Sequence, residues 1–235
     1  MKIAYIGFGE AARAFTDSLL GTEGVEFTAA YDIVQTDAMR EAAKQRGLRF
    51  ETEIAQALQG ADWVISAVTA DQSYIAAENA LEALQPGQLF IDINSVSPGR
   101  KQKTAALVAQ RGAHYLDMAV MAPVHPRGHA TPVLVAGEQA QAVAADLKKL
   151  GFNFEVISAQ AGEATAIKMV RSMFVKGLEA LTVEVSLAAS ATGCYDRVIS
   201  SLAETFPGLG WPDNISYMFE RTLHHGIRRA AEMRE

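Results

Sequence analysis

Three places in this 235-residue chain hold residues whose types and spacing suit chemistry on a nucleotide cofactor. The first is Gly7-Phe8-Gly9-Glu10-Ala11-Ala12, a G-x-G-x-x-A turn. It follows the apolar run Ile3-Ala4-Tyr5-Ile6 at once and leads into a helix-forming stretch, residues 13–20. Binding a dinucleotide's pyrophosphate calls for that order of strand, glycine turn and helix. Gly7 allows the tight turn, Gly9 has no Cβ to keep phosphate from the backbone, and Ala12 lets the helix pack close on its strand. Free N–H groups and a partial positive charge at the helix start then face the phosphates. The second place is Asp32, twenty residues past Ala12, at the end of an apolar run over 25–31. A carboxylate there accepts hydrogen bonds from the adenosine ribose hydroxyls. The bland alternative is an ordinary strand–helix turn with an incidental acid after the second strand. The third is Lys168, six residues past Gly162, near the start of a long apolar stretch.

Each of these fits a piece of a hydride-transfer reaction. Asp32 suits a free 2′-hydroxyl and repels a 2′-phosphate, and the Ile33, Val34 and Gln35 that follow put no basic residue beside it. NAD is therefore expected over NADP, although Arg40 could swing in from the next helix. Hydride transfer at a carbinol also needs a group to take or give the hydroxyl proton, and Lys168 fits that role. A lysine desolvated in an apolar helix can have its pKa lowered toward neutrality. Ser172, one helical turn on, shares its face. By helix logic alone, a lone lysine is more often a surface charge.

The elements that must carry these residues alternate between strand and helix over the first 150 residues. Strands are expected at 48–50, 62–68, 89–94, 115–120, 132–136 and 154–157, after those ending at Ile6 and Tyr31. Helices are expected at 36–46, 53–58, 71–84, 98–111 and 138–149, several ended by glycine. Repeated strand–helix units demand a parallel sheet covered by helices on both faces, and continuously apolar strands agree. From Gly162 to about Ala191 runs a proline-free stretch rich in Ala, Leu, Met, Val and Glu. At 1.5 Å per residue it is a helix of roughly 45 Å. Its apolar residues cover much of its circumference, so it is buried on several sides, either inside a second domain or partly against another subunit. Gly193 ends it, 206–212 is a loop, and 215–235 is a last helix. The expected fold is thus a Rossmann, doubly wound, mostly parallel sheet over 1–160, followed by an all-helical domain over 161–235 that serves substrate binding or dimerisation.

Ligands of open α/β sheets bind beyond the carboxyl ends of the strands, and three loops there stand out. Val68-Thr69-Ala70-Asp71 can run beside the adenosine and ribose. Asn94-Ser95-Val96-Ser97 could reach the nicotinamide amide or a substrate carboxylate, and Ser97 also reads as the cap of the helix beginning at Pro98. Met121-Ala122-Pro123-Val124-His125-Pro126-Arg127-Gly128-His129 mixes two His and an Arg with rigid prolines. Arg127 is either an anion anchor or a solvated loop charge.

Composition narrows the class. With 49% hydrophobic and 20% charged residues the chain can build a globular core, and a net charge of -6 argues against a nucleic-acid-binding surface. Met1-Lys2 runs into the first strand, so no signal peptide is expected. No apolar stretch approaches a membrane span. The single Cys194 excludes an internal disulfide and fits a reducing cytoplasm. No Cys/His cluster has the spacing of a zinc site, so no metal is expected.

As a set, Gly7-x-Gly9-x-x-Ala12, Val68-Thr69-Ala70-Asp71, Asp92-Ile93-Asn94-Ser95 and Gly162-Glu163-x-x-x-x-Lys168 match in order the motifs of the 3-hydroxyacid dehydrogenases. The chain resembles that family, which is related to 6-phosphogluconate dehydrogenase, over nearly its whole length. The resemblance implies a Rossmann domain, an all-helical second domain and Lys168 as general acid/base. Three departures qualify it. Family members usually carry a Ser-Gly-Gly turn for the substrate carboxylate where this chain has Met121-Ala122-Pro123. The family's Asn four residues after the lysine is Ser172 here, preceded by Arg171. Arg171, Arg127 or His225 would then replace the carboxylate clamp. Family members also run some tens of residues further, which leaves a second domain that is truncated, completed by another subunit, or small. The His225-Gly226-x-Arg228-Arg229-Ala230 run resembles a branch with its own C-terminal domain.

The expected function is an NAD-dependent oxidoreductase acting on a small hydroxy acid or related carbonyl compound. The expected assembly is a cytoplasmic homodimer through the helix 162–192. A non-catalytic NAD-binding protein and an imine-reducing enzyme are the alternatives.

Overall fold

The computed structural model describes residues 1–234, apart from the side chains of 225, 227, 228, 231 and 232. Chain contacts divide it into two compact units, Met1–Met169 and the residues from Val170 onward.

The first unit is built on an eight-stranded sheet. In chain order it runs β1 (Lys2–Ile6), α1 (Glu10–Leu19), β2 (Glu26–Tyr31), α2 (Asp37–Lys44), β3 (Arg49–Glu51), α3 (Ile54–Leu58), β4 (Trp63–Ser66), α4 (Ser73–Ala80) and β5 (Leu89–Asp92). It continues with α5 (Pro98–Ala109), β6 (His114–Val120), β7 (Val133–Ala136), α6 (Ala140–Lys149), β8 (Phe154–Ser158) and the start of α7 (Glu163–Ala191). The strands lie in the order β3-β2-β1-β4-β5-β6-β7-β8, so the chain reverses direction across the sheet between β1 and β4. That reversal is where open α/β sheets bind their ligands.

Side chains of successive residues in β1 enter opposite faces. Ile3 and Tyr5 join Phe15 and Leu19 of α1 in one core, while Ala4 and Ile6 join Val64, Phe90 and Leu58 in the other. Both faces are dry, which is why these strands are apolar without alternation. The α1 helix presents Ala12, Phe15, Thr16 and Leu19 to the sheet at the spacing of one helical face.

The pairing between β6 and β7 is antiparallel, and β7 with β8 is parallel again. The sheet is otherwise parallel, as the repeated crossover units require, but residues 121–132 join β6 to β7 with only a 3-10 turn at Gly128–Ala130 and no α-helix. A return connection without a crossover reverses the strand. The expected helix over 71–84 is shorter, because 3-10 turns at Ala70–Gln72 and Leu81–Ala83 flank α4.

The second unit holds the rest of α7, then α8 (Tyr195–Thr205) and α9 (Asn214–Met233). The sequence reading passed over α8. Its apolar residues Tyr195, Val198, Ile199 and Leu202 follow helical spacing, but Ser200 and Ser201 interrupt the pattern in so short an element. Among the described residues, no helix is long and apolar enough to cross a membrane.

Candidate functional site

The glycine turn has the backbone its sequence requires. Gly7 takes φ +84°, and a Cβ there would stand 2.4 Å from the Ala67 carbonyl oxygen at the end of β4. Its N–H is tied to the Tyr31 carbonyl at 2.7 Å, which pins the turn to β2. A Cβ at Gly9 would instead meet nothing within 4 Å. That open side lies at the N-cap of α1, ahead of the first helical bond from the Arg13 N–H to the Gly9 carbonyl. The N–H groups of the first turn thus border open space, the arrangement a pyrophosphate needs. Ala12 is fully buried against the sheet, while Glu10 is exposed and Ala11 half-buried.

Asp32 is brought to the same turn. Its Oδ2 accepts the Phe8 N–H at 2.8 Å and its Oδ1 accepts the Val34 N–H at 2.9 Å. Each oxygen retains a second lone pair for a ribose hydroxyl. Beside it, Ile33 and Val34 are 64% and 49% exposed and present apolar surface to solvent. Arg40 stands close by. Its guanidinium donates to the Gln35 carbonyl at 3.4 Å and lies 5.7 Å over the Phe50 ring.

Asn94 braces the two loops between these strands. Its Oδ1 accepts the Val68 N–H at 2.7 Å, and its Nδ2 donates to Ser66 Oγ at 3.0 Å and Ser73 Oγ at 3.3 Å. Both amide donors are committed inside the protein, so the side chain locks the loop after β4 to the end of β5. Thr69 is exposed, and its hydroxyl and then Gln72 hold the neighbouring Asp71 carboxyl below its usual value. Ser97 occupies the N-cap position of α5, but its side chain makes no capping bond there. Its carbonyl accepts from the Arg100 and Lys101 N–H groups instead.

Ser95 and Lys168 come together, although 73 residues separate them. The Lys168 ammonium donates to Ser95 Oγ at 2.6 Å, half-buried, just past the carboxyl end of β5. Beneath them lies a buried charged cluster that the sequence reading missed. Lys101 is fully buried, with Nζ 2.9 Å from Asp92 Oδ1 and 3.3 Å from Asp117 Oδ1. Tyr115 donates to Asp92 Oδ2 at 2.8 Å, and Thr165 donates to Asp117 Oδ1 at 2.7 Å. Burial, then the charges of Asp92 and Asp117, push the Tyr115 phenol well above its ordinary value.

The turn after β6 has few donors to offer. The Met121 N–H is spent on the Pro132 carbonyl at 2.9 Å, and Pro123 has no N–H. The Met121 side chain packs against Ala119, Ala136 and Ala164, under the start of α7. Ala122 is half-buried, and Pro123 and Arg127 are exposed. Arg171, exposed, and Ser172, half-buried, belong to the second unit. The side chain of His225 lies outside the described residues. In the second unit Glu179 is buried and paired with Arg229. Among the described residues, no group of three or more His, Cys, Asp or Glu could hold a metal ion.

Comparison with known proteins identifies the family and the fold. Residues 2–158 match the family described as the NAD binding domain of 6-phosphogluconate dehydrogenase. Residues 189–235 match a domain of unknown function. A conserved hypothetical protein from Sinorhizobium meliloti 1021 is 38% identical, with a TM-score of 0.77 over 100% of this chain and 80% of its own. A conserved protein of unknown function, described as structurally similar to 3-hydroxyacid dehydrogenases, is 28% identical, with a TM-score of 0.77 over 100% and 87%. The fold is also that of a Mycobacterium tuberculosis 3-hydroxyisobutyrate dehydrogenase, at 23% identity and a TM-score of 0.71 over 88% and 70%.

Proposed function

The chain belongs to the family of the 6-phosphogluconate dehydrogenase NAD-binding domain, and from that premise we propose that it is a nicotinamide-dependent oxidoreductase. Its substrate is a small hydroxy acid or a related carbonyl compound. A nicotinamide cofactor, when bound, would supply the hydride-transfer chemistry. The chain's own residues do the rest. Backbone N–H groups at the start of α1 hold the pyrophosphate, and Asp32 accepts from the ribose hydroxyls. That carboxylate favours NAD, because a 2′-phosphate would face its charge. Lys168 exchanges the proton at the substrate oxygen, and Ser95 orients that oxygen from the other side. The observation that carries this reading is the 2.6 Å bond between Lys168 Nζ and Ser95 Oγ. It puts a proton donor and a hydroxyl at one point beyond the strand ends.

The test is a panel of hydroxy acids with NAD, followed by the absorbance of the reduced cofactor. A positioned acid/base is worth about 10²–10⁴ in rate. Lys168→Ala should therefore lose at least about 100-fold in turnover, with NAD affinity nearly unchanged. Substantial remaining activity would sink the role given to Lys168. Tight NAD binding without turnover on any substrate would favour a non-catalytic NAD-binding protein.

A second reading is supported by the turn after β6. With the Met121 N–H committed and Pro123 lacking one, the turn has little to offer a carboxylate. An imine substrate needs no carboxylate clamp. The same panel, run with reduced cofactor on imines and scored for amine product, distinguishes it.

A further inference from the structure

We propose that Lys101 is a positioning residue, joining the Ser95 loop to the first turn of α7 and so fixing the distance between Ser95 and Lys168. The inference rests on the reading of Lys168 as the proton-exchanging group.

Both partners of the Ser95–Lys168 bond are anchored one step away by buried carboxylates. On one side, Asp92 Oδ1 accepts the N–H of Asn94, the residue before Ser95, at 2.9 Å. On the other, Asp117 Oδ2 accepts the N–H of Gly162 at 3.1 Å and of Thr165 at 3.0 Å. Thr165 lies one helical turn before Lys168. A strand-borne aspartate therefore caps α7 and sets where its first turn begins. Gly162 closes the approach: it takes φ +96°, and a Cβ there would stand 2.8 Å from the Pro98 carbonyl oxygen.

Lys101 is the ammonium on which the two anchors meet. Its Nζ reaches the Asp92 carbonyl at 2.7 Å, Asp92 Oδ1 at 2.9 Å and Asp117 Oδ1 at 3.3 Å. An ammonium has three N–H donors, and all three are met inside the protein. The cluster holds two carboxylates and one ammonium. The N-terminus of α7 faces the second negative charge, and the Tyr115 hydroxyl donates to Asp92. Remove Lys101, and two buried carboxylates on neighbouring strands are left with no cation between them, one holding the Ser95 loop and the other the first turn of α7. Like charges there repel, and any shift of either anchor moves one end of the Ser95–Lys168 bond. A buried ion pair adds little to stability for its own sake; here its effect is on geometry.

The test needs neither cofactor nor substrate, so it stands apart from whether the protein turns over. The whole protein is labelled briefly with an acetylating reagent, and each lysine is quantified by peptide mass spectrometry, with exposed Lys44 and Lys148 as internal references. In Lys101→Met, labelling of Lys168 should rise severalfold against those references. Ser95→Ala should raise it as much. In the double variant Lys101→Met/Ser95→Ala the two effects should not add, because both act through one bond. General loosening of the fold would add to the Ser95→Ala effect and would overturn the proposal. So would a wild-type rate at Lys168 in Lys101→Met. Should Lys101→Met fail to fold by circular dichroism, Lys101→Met/Asp117→Asn keeps one fewer carboxylate and still offers an acceptor to the α7 N–H groups. It is held to the same two outcomes.

Discussion

Asp32 holds the glycine turn, and in the proposed function it also recognises the cofactor. Its two oxygens already hold the Phe8 and Val34 N–H groups, so its charge is fixed where the adenosine ribose would sit. Asp32→Ser should weaken NAD binding by about tenfold, roughly the value of one charge-assisted hydrogen bond. NADP should lose less or gain, since the repulsion with a 2′-phosphate goes and Arg40 stands near. Titrations of both cofactors by calorimetry check this; a wild-type protein that binds NADP more tightly than NAD would contradict it. The place of Asp32 beside the glycine turn was legible in the sequence because it depends on spacing along one strand–helix–strand unit. Lys101 was not. It sits in the run Arg100-Lys101-Gln102-Lys103, which reads as a solvated basic face. Its partners Asp92 and Asp117 end up beside it only because β5 and β6 pair in register, with Asp92 opposite Asp117. The pairing of Ser95 with Lys168 was likewise invisible to local pattern, although each residue was singled out by itself.

Among the elements, the β1–α1 turn is the one whose sequence and geometry agree most closely. A substitution at Gly7 tests that agreement. Gly7→Ala forces a Cβ-bearing residue to φ +84° and against the Ala67 carbonyl at 2.4 Å. Strain of this kind costs about 2 kcal/mol or more. Urea unfolding should show that loss together with weaker cofactor binding. Wild-type stability in the variant would mean that the turn can relax without harm. Strands and helices of the first unit were readable from periodicity, because buried parallel strands and amphipathic helices leave different patterns. The direction of β7 was not, since it depends on the missing crossover helix. The turn at 121–123 stands where the family's carboxylate turn would be but lacks its sequence, and part of its backbone closes β6 onto β7.

For the whole molecule, the second unit leaves apolar side chains exposed on α7. Val170, Phe174 and Leu181 are 69%, 69% and 56% exposed, and Gly177 between them leaves open space. Spacings of four, three and four residues make a seam of the kind that pairs helices. We propose that a second copy of the chain covers it, the homodimer expected through this helix, since a two-fold contact puts the same patch on both copies. Leu181→Glu combined with Phe174→Glu should convert a dimer to a monomer by light scattering; a monomeric wild type would contradict this assembly. The proposed chemistry is tested most directly by following the hydride. Reduced cofactor carrying deuterium at the transferred position is incubated with the protein and a panel of small carbonyl acids and imines. Deuterium is expected on the former carbonyl or imine carbon of at least one product, and at least about 100-fold less with Lys168→Ala. Cofactor that binds but passes no deuterium to any substrate, or equal transfer by Lys168→Ala, would contradict it.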